Sequence, residues 1–354
     1  MAVSRRGLGI GLFFAISALL AGGLAYLAWN HHQGFANGPL SGIDAGDTVV
    51  VERGDSFLRV LGRLREAGIS DGHRIEWQLL ARRLDAGGRL QVGEYRLEPG
   101  MSATDVLVQM REGRVIRHRF TIVEGWNIRE LRSALATATP LLHETRDLDD
   151  SALMQALDRP GVHPEGRFLP ETYLYTRGDS DLDLLRRAAA ALDRALEQAW
   201  AQRADGLPLE SAEEALVLAS IIEKETGIAE ERGRIAGVFT RRLQRGMRLQ
   251  TDPTVIYGMG SAFDGNIRRS DLQTDTPYNT YTRDGLPPTP IAMAGSDAIR
   301  AATRPEAGDA LYFVAVGDDS GRHVFSRTYA EHQAAVRDYV RRYRARFGSG
   351  ARSQ

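Results

Sequence analysis

From Gly7 to Trp29 the chain carries no charged residue, and nearly every position from Leu8 onward is apolar or small. Read as a helix, Leu8 to Trp29 would extend ~33 Å, enough to cross a hydrocarbon layer about 30 Å thick. No other feature of the 354 residues restricts the fold as strongly, because a membrane helix commits all that follows it to one side of a bilayer. Arg5 and Arg6 precede the run, and no arginine follows until Arg53. The positive-inside rule then keeps the N-terminus in the cytoplasm and sends the body outside. Ala21, Gly22 and Gly23 could suit a signal peptidase, but the apolar run continues past them to Trp29, which favours an uncleaved anchor. The expectation is a single-pass anchor with an extracytoplasmic body.

Composition narrows what that body can do. With no cysteine, disulfides, thiol nucleophiles and cysteine-ligated metals are excluded. Lys+Arg total 45 against 46 Asp+Glu, so there is no basic excess of the kind that nucleic-acid binding requires. The eight histidines show no HExxH or HxH spacing, and neither a phosphate-binding P-loop nor a GxSxG elbow is present. No metal or cofactor is expected. Lys224 is the only lysine among many arginines. It could form a Schiff base with a carbonyl cofactor, but between Glu223 and Glu225 it reads more simply as a charged partner.

The pattern of elements is α+β. Residues 1–29 read as cytoplasmic tip and anchor, and 30–47, with Gly, Asn, Pro, Ser and Asp, as a juxtamembrane linker. Thr48-Val49-Val50-Val51 is strand-like. Phe57, Val60, Leu61 and Leu64 have helical spacing, Ile75 to Leu84 suggests a second helix, and Gly93 to Leu97 a returning strand. With a capped helix after Ser102, residues 48–115 form a small module whose strand–helix–helix–strand order resembles a LysM-type glycan-binding unit. Residues 116–348 form a larger mixed α+β domain, followed by a tail at 349–354. It begins with a strand over Arg117 to Val123 and includes helices over Asp181–Gln202, Glu213–Thr226, Glu230–Arg245 and Tyr329–Phe347. Short strands are expected at Ala310–Ala315 and Arg322–Phe325.

Within the larger domain, Leu218, Ile221, Ile222 and Glu225 fall at i, i+3, i+4 and i+7, so Glu225 continues an apolar stripe. Glu223 lies roughly 200° around the same helix. Glu225 is thus the carboxylate expected to be desolvated, and desolvation raises a carboxyl pKa towards what a general acid needs at neutral pH. Glu223 and Lys224 are read as supporting charges. The segment Gln250-Thr251-Asp252-Pro253-Thr254-Val255-Ile256-Tyr257-Gly258-Met259-Gly260 is read as a loop, since Pro253 removes a donor and two glycines punctuate it. It offers an amide, hydroxyls, a carboxylate and a phenol, and Tyr278-Asn279-Thr280-Tyr281 repeats that chemistry. Aromatic faces with short polar side chains suit sugar rings. Gln250, Thr251, Asp252, Tyr257, Tyr278, Asn279, Thr280 and Tyr281 are the expected substrate contacts. The arginines at 241, 242, 245 and 248, and those from Arg337 to Arg346, read as solvated helix faces.

The residues carry a resemblance as well. Ala219-Ser220-Ile221-Ile222-Glu223-Lys224-Glu225-Thr226, the run from Arg248 to Gly260, Tyr278 to Tyr281, Gly285-Leu286-Pro287-Pro288 and Leu311 to Ala315 together resemble the endolytic murein transglycosylases of the MltG (YceG-like) family. The departure lies at Thr289-Pro290-Ile291-Ala292-Met293-Ala294-Gly295, where relatives usually carry Gly for Thr289 and Asn-Pro for Met293-Ala294. The resemblance implies an inner-membrane protein with a periplasmic body that cleaves the MurNAc–GlcNAc β-1,4 bond of peptidoglycan strands. The product carries 1,6-anhydro-MurNAc ends, Glu225 is the catalytic acid, and nascent strands beside peptidoglycan synthases are the setting. Two other readings stay open. A muramidase-type hydrolase would need a second carboxylate about 5–10 Å from Glu225, with Asp252, Glu171 and Glu223 as candidates. A non-catalytic glycan-binding scaffold would need none.

Overall fold

A computed structural model of the chain describes residues 5–347, with the backbone alone for residues 5–12 and 14. The cytoplasmic tip before Arg5 and the tail at 349–354 lie outside the described residues. Two compact units form. One runs to His118 and takes in Thr176–Gly178; the other comprises Arg119–Tyr175 and Asp179 onward.

The first unit opens with α1 (Arg5–Asn37), on which Leu19, Leu20, Leu24, Leu27 and Trp29 are exposed. Among the described residues no helix is long and apolar enough to cross a membrane. The start of the expected span, Leu8–Leu12 with Phe14, has no described side chains. Residues 30–47 are not the linker expected of them. The helix continues to Asn37, and Ala36, Leu40 and Ile43 are buried in the core of the unit. Their spacing hid the pattern: a few scattered apolar residues among polar ones show no periodicity until a partner surface exists. β1 (Thr48–Val51) pairs antiparallel with β2 (Gly93–Arg96), Thr48 opposite Arg96. Between them lie α2 (Phe57–Glu66), capped by Ser56, and α3 (Arg74–Arg83), with a His73–Glu76 capping box. α4 (Ala103–Glu112) follows, started by a Ser102–Asp105 capping box and ended by Gly113 in the left-handed region that glycine enters without strain. Val49, Val60, Leu64, Trp77, Tyr95 and Met110 fill the core.

The second unit begins within β3 (His118–Thr121), at Arg119, and β3 pairs with β4 (Thr172–Tyr175). Between them come α5 (Ile128–Leu135) and α6 (Asp150–Ala156), and after them α7 (Asp181–Ala201). The organising element is α8 (Ala212–Glu225): every residue from Ala215 to Ile222 is buried. The sequence suggested one apolar stripe, but this helix is apolar all round, as a helix enclosed by others must be. α7, α9 (Ala229–Gln244) and α12 (Ser296–Thr303) pack on it. Ser220, fully buried within it, donates to Val217 O at 2.7 Å and accepts from Ile291 N at 2.9 Å, tying in the loop before α12. In that loop Met293 is fully buried and exchanges backbone hydrogen bonds with Gly125 and Trp126.

α10 (Asp252–Met259) and α11 (Arg269–Gln273) precede α12; β5 (Tyr312–Ala315), β6 (His323–Ser326) and α13 (Tyr329–Phe347) complete the unit. α10 corrects the reading of Gln250–Gly260 as a loop. Pro253 sits in the first turn, where its missing N–H would have had no intrahelical partner and its fixed φ suits the helix. Gly260, at φ 58, ends it.

Candidate active site

α8 ends with three charged residues in successive directions about 100° apart. Glu223 turns towards the start of α12, where its Oε2 accepts from Gly295 N at 2.9 Å and its Oε1 lies 3.6 Å from Arg232. Burial raises its pKa, and the carboxylates of Glu124 and Asp297 add to the rise. Lys224 points elsewhere and donates to Gly125 O at 3.1 Å. Glu225 points into a cleft of about 460 Å3, lined also by Arg242, Gln250, Thr251, Asp252 and Tyr281. Of the three, only Glu225 reaches this space. The supporting role expected of Glu223 and Lys224 is therefore at most indirect, since the helical twist separates neighbours that the sequence placed together.

Burial, with the adjacent Asp252 charge adding to it, pushes the Glu225 carboxyl up to about 7. Thr251 and Arg242 oppose that rise. Thr251 Oγ1 donates to Glu225 Oε1. Thr251 occupies the N-cap position of α10, yet its side chain makes no cap hydrogen bond, because the hydroxyl is committed to Glu225. Its position is set from the other side: Thr251 N donates to Thr280 Oγ1 at 3.1 Å, and Thr254 Oγ1 lies 2.9 Å from the same oxygen. Gln250, immediately before, is a non-glycine residue at φ 50, a costly left-handed conformation of the kind that persists where neighbouring structure enforces it.

Asp252 is exposed in the cleft, and the Tyr281 hydroxyl donates to its Oδ1 at 2.5 Å. Burial first, and that hydrogen bond second, raise the phenol's pKa. Of the carboxylates considered as a second acid, Glu171 is exposed on β4's approach and Glu223 faces Gly295. Asp252 alone shares the cleft with Glu225.

The cleft also contains residues that the sequence did not single out. Arg242, expected on a solvated face, is 8% exposed. Its guanidinium donates to the carbonyls of Leu311 and Leu249 at 2.7 Å and sits over the Tyr312 ring. Burial lowers its pKa, but a guanidinium remains charged, so it places a fixed positive charge near Glu225. An arginine-rich background gave no signal for this one. His332 from α13 stacks on Tyr312 with ring centroids 5.2 Å apart, and burial lowers its pKa.

Four of the expected contacts are placed away from this cleft. Asn279 is 1% exposed, and its amide donates to the carbonyls of Asp271, Leu272 and Thr274 while its oxygen accepts from Tyr281 N. Buried and with its amide N–H2 fully engaged, it holds the loop that carries Tyr281 and offers no face to a sugar. Thr280 is buried against Thr251 and Thr254. Tyr257 and Tyr278 pack edge to face at 4.8 Å, and the Tyr278 hydroxyl meets Thr289 Oγ1 at 2.8 Å. Beneath Tyr257 lies Glu165, fully buried, which accepts from Ile128 N at 3.1 Å and Gly166 N at 3.2 Å and hydrogen-bonds Tyr257. Burial pushes its carboxyl up to about 7. A lone glutamate between Pro164 and Gly166 gives no periodic signal, so sequence reasoning did not select it.

A family model described as the YceG-like family matches residues 49–338. Among curated proteins, an endolytic murein transglycosylase of Bacillus subtilis (strain 168) is 32% identical over 267 residues, covering 71% of this chain and 73% of that protein. A protein of the same name from Streptococcus pneumoniae serotype 2 (strain D39 / NCTC 7466) is 27% identical over 286 residues, with 71% of this chain and 51% of the relative covered. The chain thus spans about half the length of the pneumococcal protein. Among solved structures, a putative yceG-like protein from Listeria monocytogenes superposes with a TM-score of 0.52 at 28% identity, covering 81% of this chain and 97% of that one.

Proposed function

The chain belongs to the YceG-like family, and from that premise we propose that it is an endolytic murein transglycosylase with Glu225 as its single acid and base. The observation that carries the reading is the Glu225 carboxyl, held near pKa 7 at the side of a polar cleft by burial and by Asp252. A group poised near neutrality can give a proton and take one back.

Protonated Glu225 gives its proton to the glycosidic oxygen as the bond from MurNAc C1 breaks, so the departing GlcNAc leaves with a 4-hydroxyl. The C6 hydroxyl of the same MurNAc then closes on C1 and returns its proton to Glu225. The product is a 1,6-anhydro ring, the acid is regenerated, and no water is consumed. An internal hydroxyl already held beside C1 has the proximity advantage of an intramolecular reaction. Arg242 supplies positive charge that steadies the carboxylate formed in between. Gln250, Asp252 and Tyr281 are the substrate contacts on this reading, and Thr251 holds the acid. The first unit, with its LysM-like order of elements over 48–115, serves as a glycan-binding accessory to the catalytic domain at 116–348. The exposed leucines of α1 and the uncharged run from Gly7 to Trp29 support a single-pass inner-membrane anchor. It would place the body in the periplasm, among nascent strands and peptidoglycan synthases.

Digestion of purified glycan strands followed by mass spectrometry of the ends tests the chemistry. Anhydro ends are expected, and their loss in Glu225→Gln. Reducing MurNAc ends would instead indicate hydrolysis with Asp252 as the second carboxylate, and strand binding without cleavage would indicate a scaffold.

A further inference from the structure

On the other side of α10 lies a second cleft, of about 410 Å3. α10 contributes Asp252 to the first cleft and Pro253, Ile256 and Tyr257 to the second. α8 likewise sends Glu225 to the first and Lys224 to the second. The two clefts therefore share α8 and α10 as walls.

The charge in the second cleft is distinctive. Lys224 and Arg129 both line it, and among the described residues neither forms an ion pair, although arginines elsewhere on the unit are widely paired with carboxylates. Lys224 makes one hydrogen bond, to a neutral carbonyl. Asn127, also at the rim, accepts from Arg129 N and Glu130 N through Oδ1, which leaves its amide N–H2 as a donor. The one carboxylate lining the cleft, Glu130, is turned back to its own helix start, where it accepts from Asn127 N at 2.7 Å, so positive charge still prevails in the lining. The remaining wall is apolar, from Pro253, Ile256 and Phe263. Two unpaired cations of different shape, an amide donor and an apolar wall suit a carboxylate borne on a short aliphatic segment.

We propose that this second cleft is a subsite for a carboxylate of the stem peptide carried by the glycan strand, held by Lys224 and Arg129 while the strand's sugars occupy the cleft of Glu225. The inference rests on the peptidoglycan reading above and adds to it the part of the substrate that sets specificity. Peptide-bearing strands are preferred over bare ones because the cations at the second cleft are otherwise unpaired. Lys224 and Arg129 act there as specificity determinants.

Calorimetric titration of the full chain carrying Glu225→Gln tests this without turnover. The probes are a peptidoglycan tetrasaccharide bearing its stem peptides, the same tetrasaccharide stripped of peptides, and one whose peptide carboxylates are amidated. The peptide-bearing probe is expected to bind about tenfold more tightly than the other two. Adding Arg129→Gln, or separately Lys224→Met, should remove most of that difference and leave the affinity for the stripped probe in place. Equal affinity for all three probes would overturn the proposal, as would equal losses for bare and peptide-bearing probes in both variants. The end-group analysis of strand digests reports independently on the lytic reading, so failure of one is distinguishable from failure of the other.

Discussion

Thr251 Oγ1 donates to Glu225 Oε1 from the N-cap position of α10, the place where a threonine hydroxyl ordinarily turns back to its own helix. The helix forgoes a cap worth about 1 kcal/mol, and the carboxylate gains a donor that favours its ionised form. Thr251→Val should remove that donor, raise the Glu225 pKa beyond about 7 and move the alkaline limb of the pH–rate profile upward by roughly half a unit or more. An unmoved limb, with activity retained, would show that this hydrogen bond does not tune the acid.

Glu225→Gln should cost on the order of a thousandfold in lytic rate, the contribution of a general acid. It should also change stability in a pH-dependent way. The carboxyl is raised to about 7 in the folded chain, so the folded state holds the proton more tightly than the unfolded one. Stability from this group is complete below the unfolded value near 4.5 and is lost as pH rises through 7. Glutamine cannot ionise, so the variant should exceed the parent by about 3 kcal/mol at pH 8 and nearly match it near pH 4.5. Thermal melts of both proteins at the two pH values check it.

Asn279→Ala should destabilise the second unit by about 2 kcal/mol, because three carbonyls and one N–H lose their partner together. Since Tyr281 N is the donor that Asn279 receives, KM should rise as Tyr281 loses its position. Chemical denaturation paired with steady-state kinetics separates the two effects.

A chain beginning at residue 30 should leave the membrane fraction on carbonate extraction and keep its lytic activity. One beginning at Thr48 should also be less stable by about 3 kcal/mol or more, since Ala36, Leu40 and Ile43 belong to the core of the first unit. Equal stability of the two truncations would contradict that assignment.

What could be read from the sequence followed from long periodic segments. α7, α8, α9 and α13 lie within a residue or two of their expected bounds, and the stripe that singled out Glu225 leads to the carboxyl facing the cleft. Short and locally ambiguous features were harder. Pro253 reads as a breaker until its position in the first turn is known. Asn279 looks like a ligand residue because nothing in four letters reveals that backbone carbonyls saturate it. Arg242 and Glu165 are defined by contacts tens of residues distant, which no local pattern records.

The three directions taken by Glu223, Lys224 and Glu225 have a consequence for how such a site can change. Each residue's address is its angular position at the end of α8, and one inserted or deleted residue upstream in the helix would turn all three addresses by about 100°. An insertion would bring the cation to the position of Glu225, and a deletion would bring it to the α12 tether and Glu225 to the second cleft. Helix phase works here as a reading frame: substitutions leave the three addresses in place, whereas a single slip would redirect all three at once.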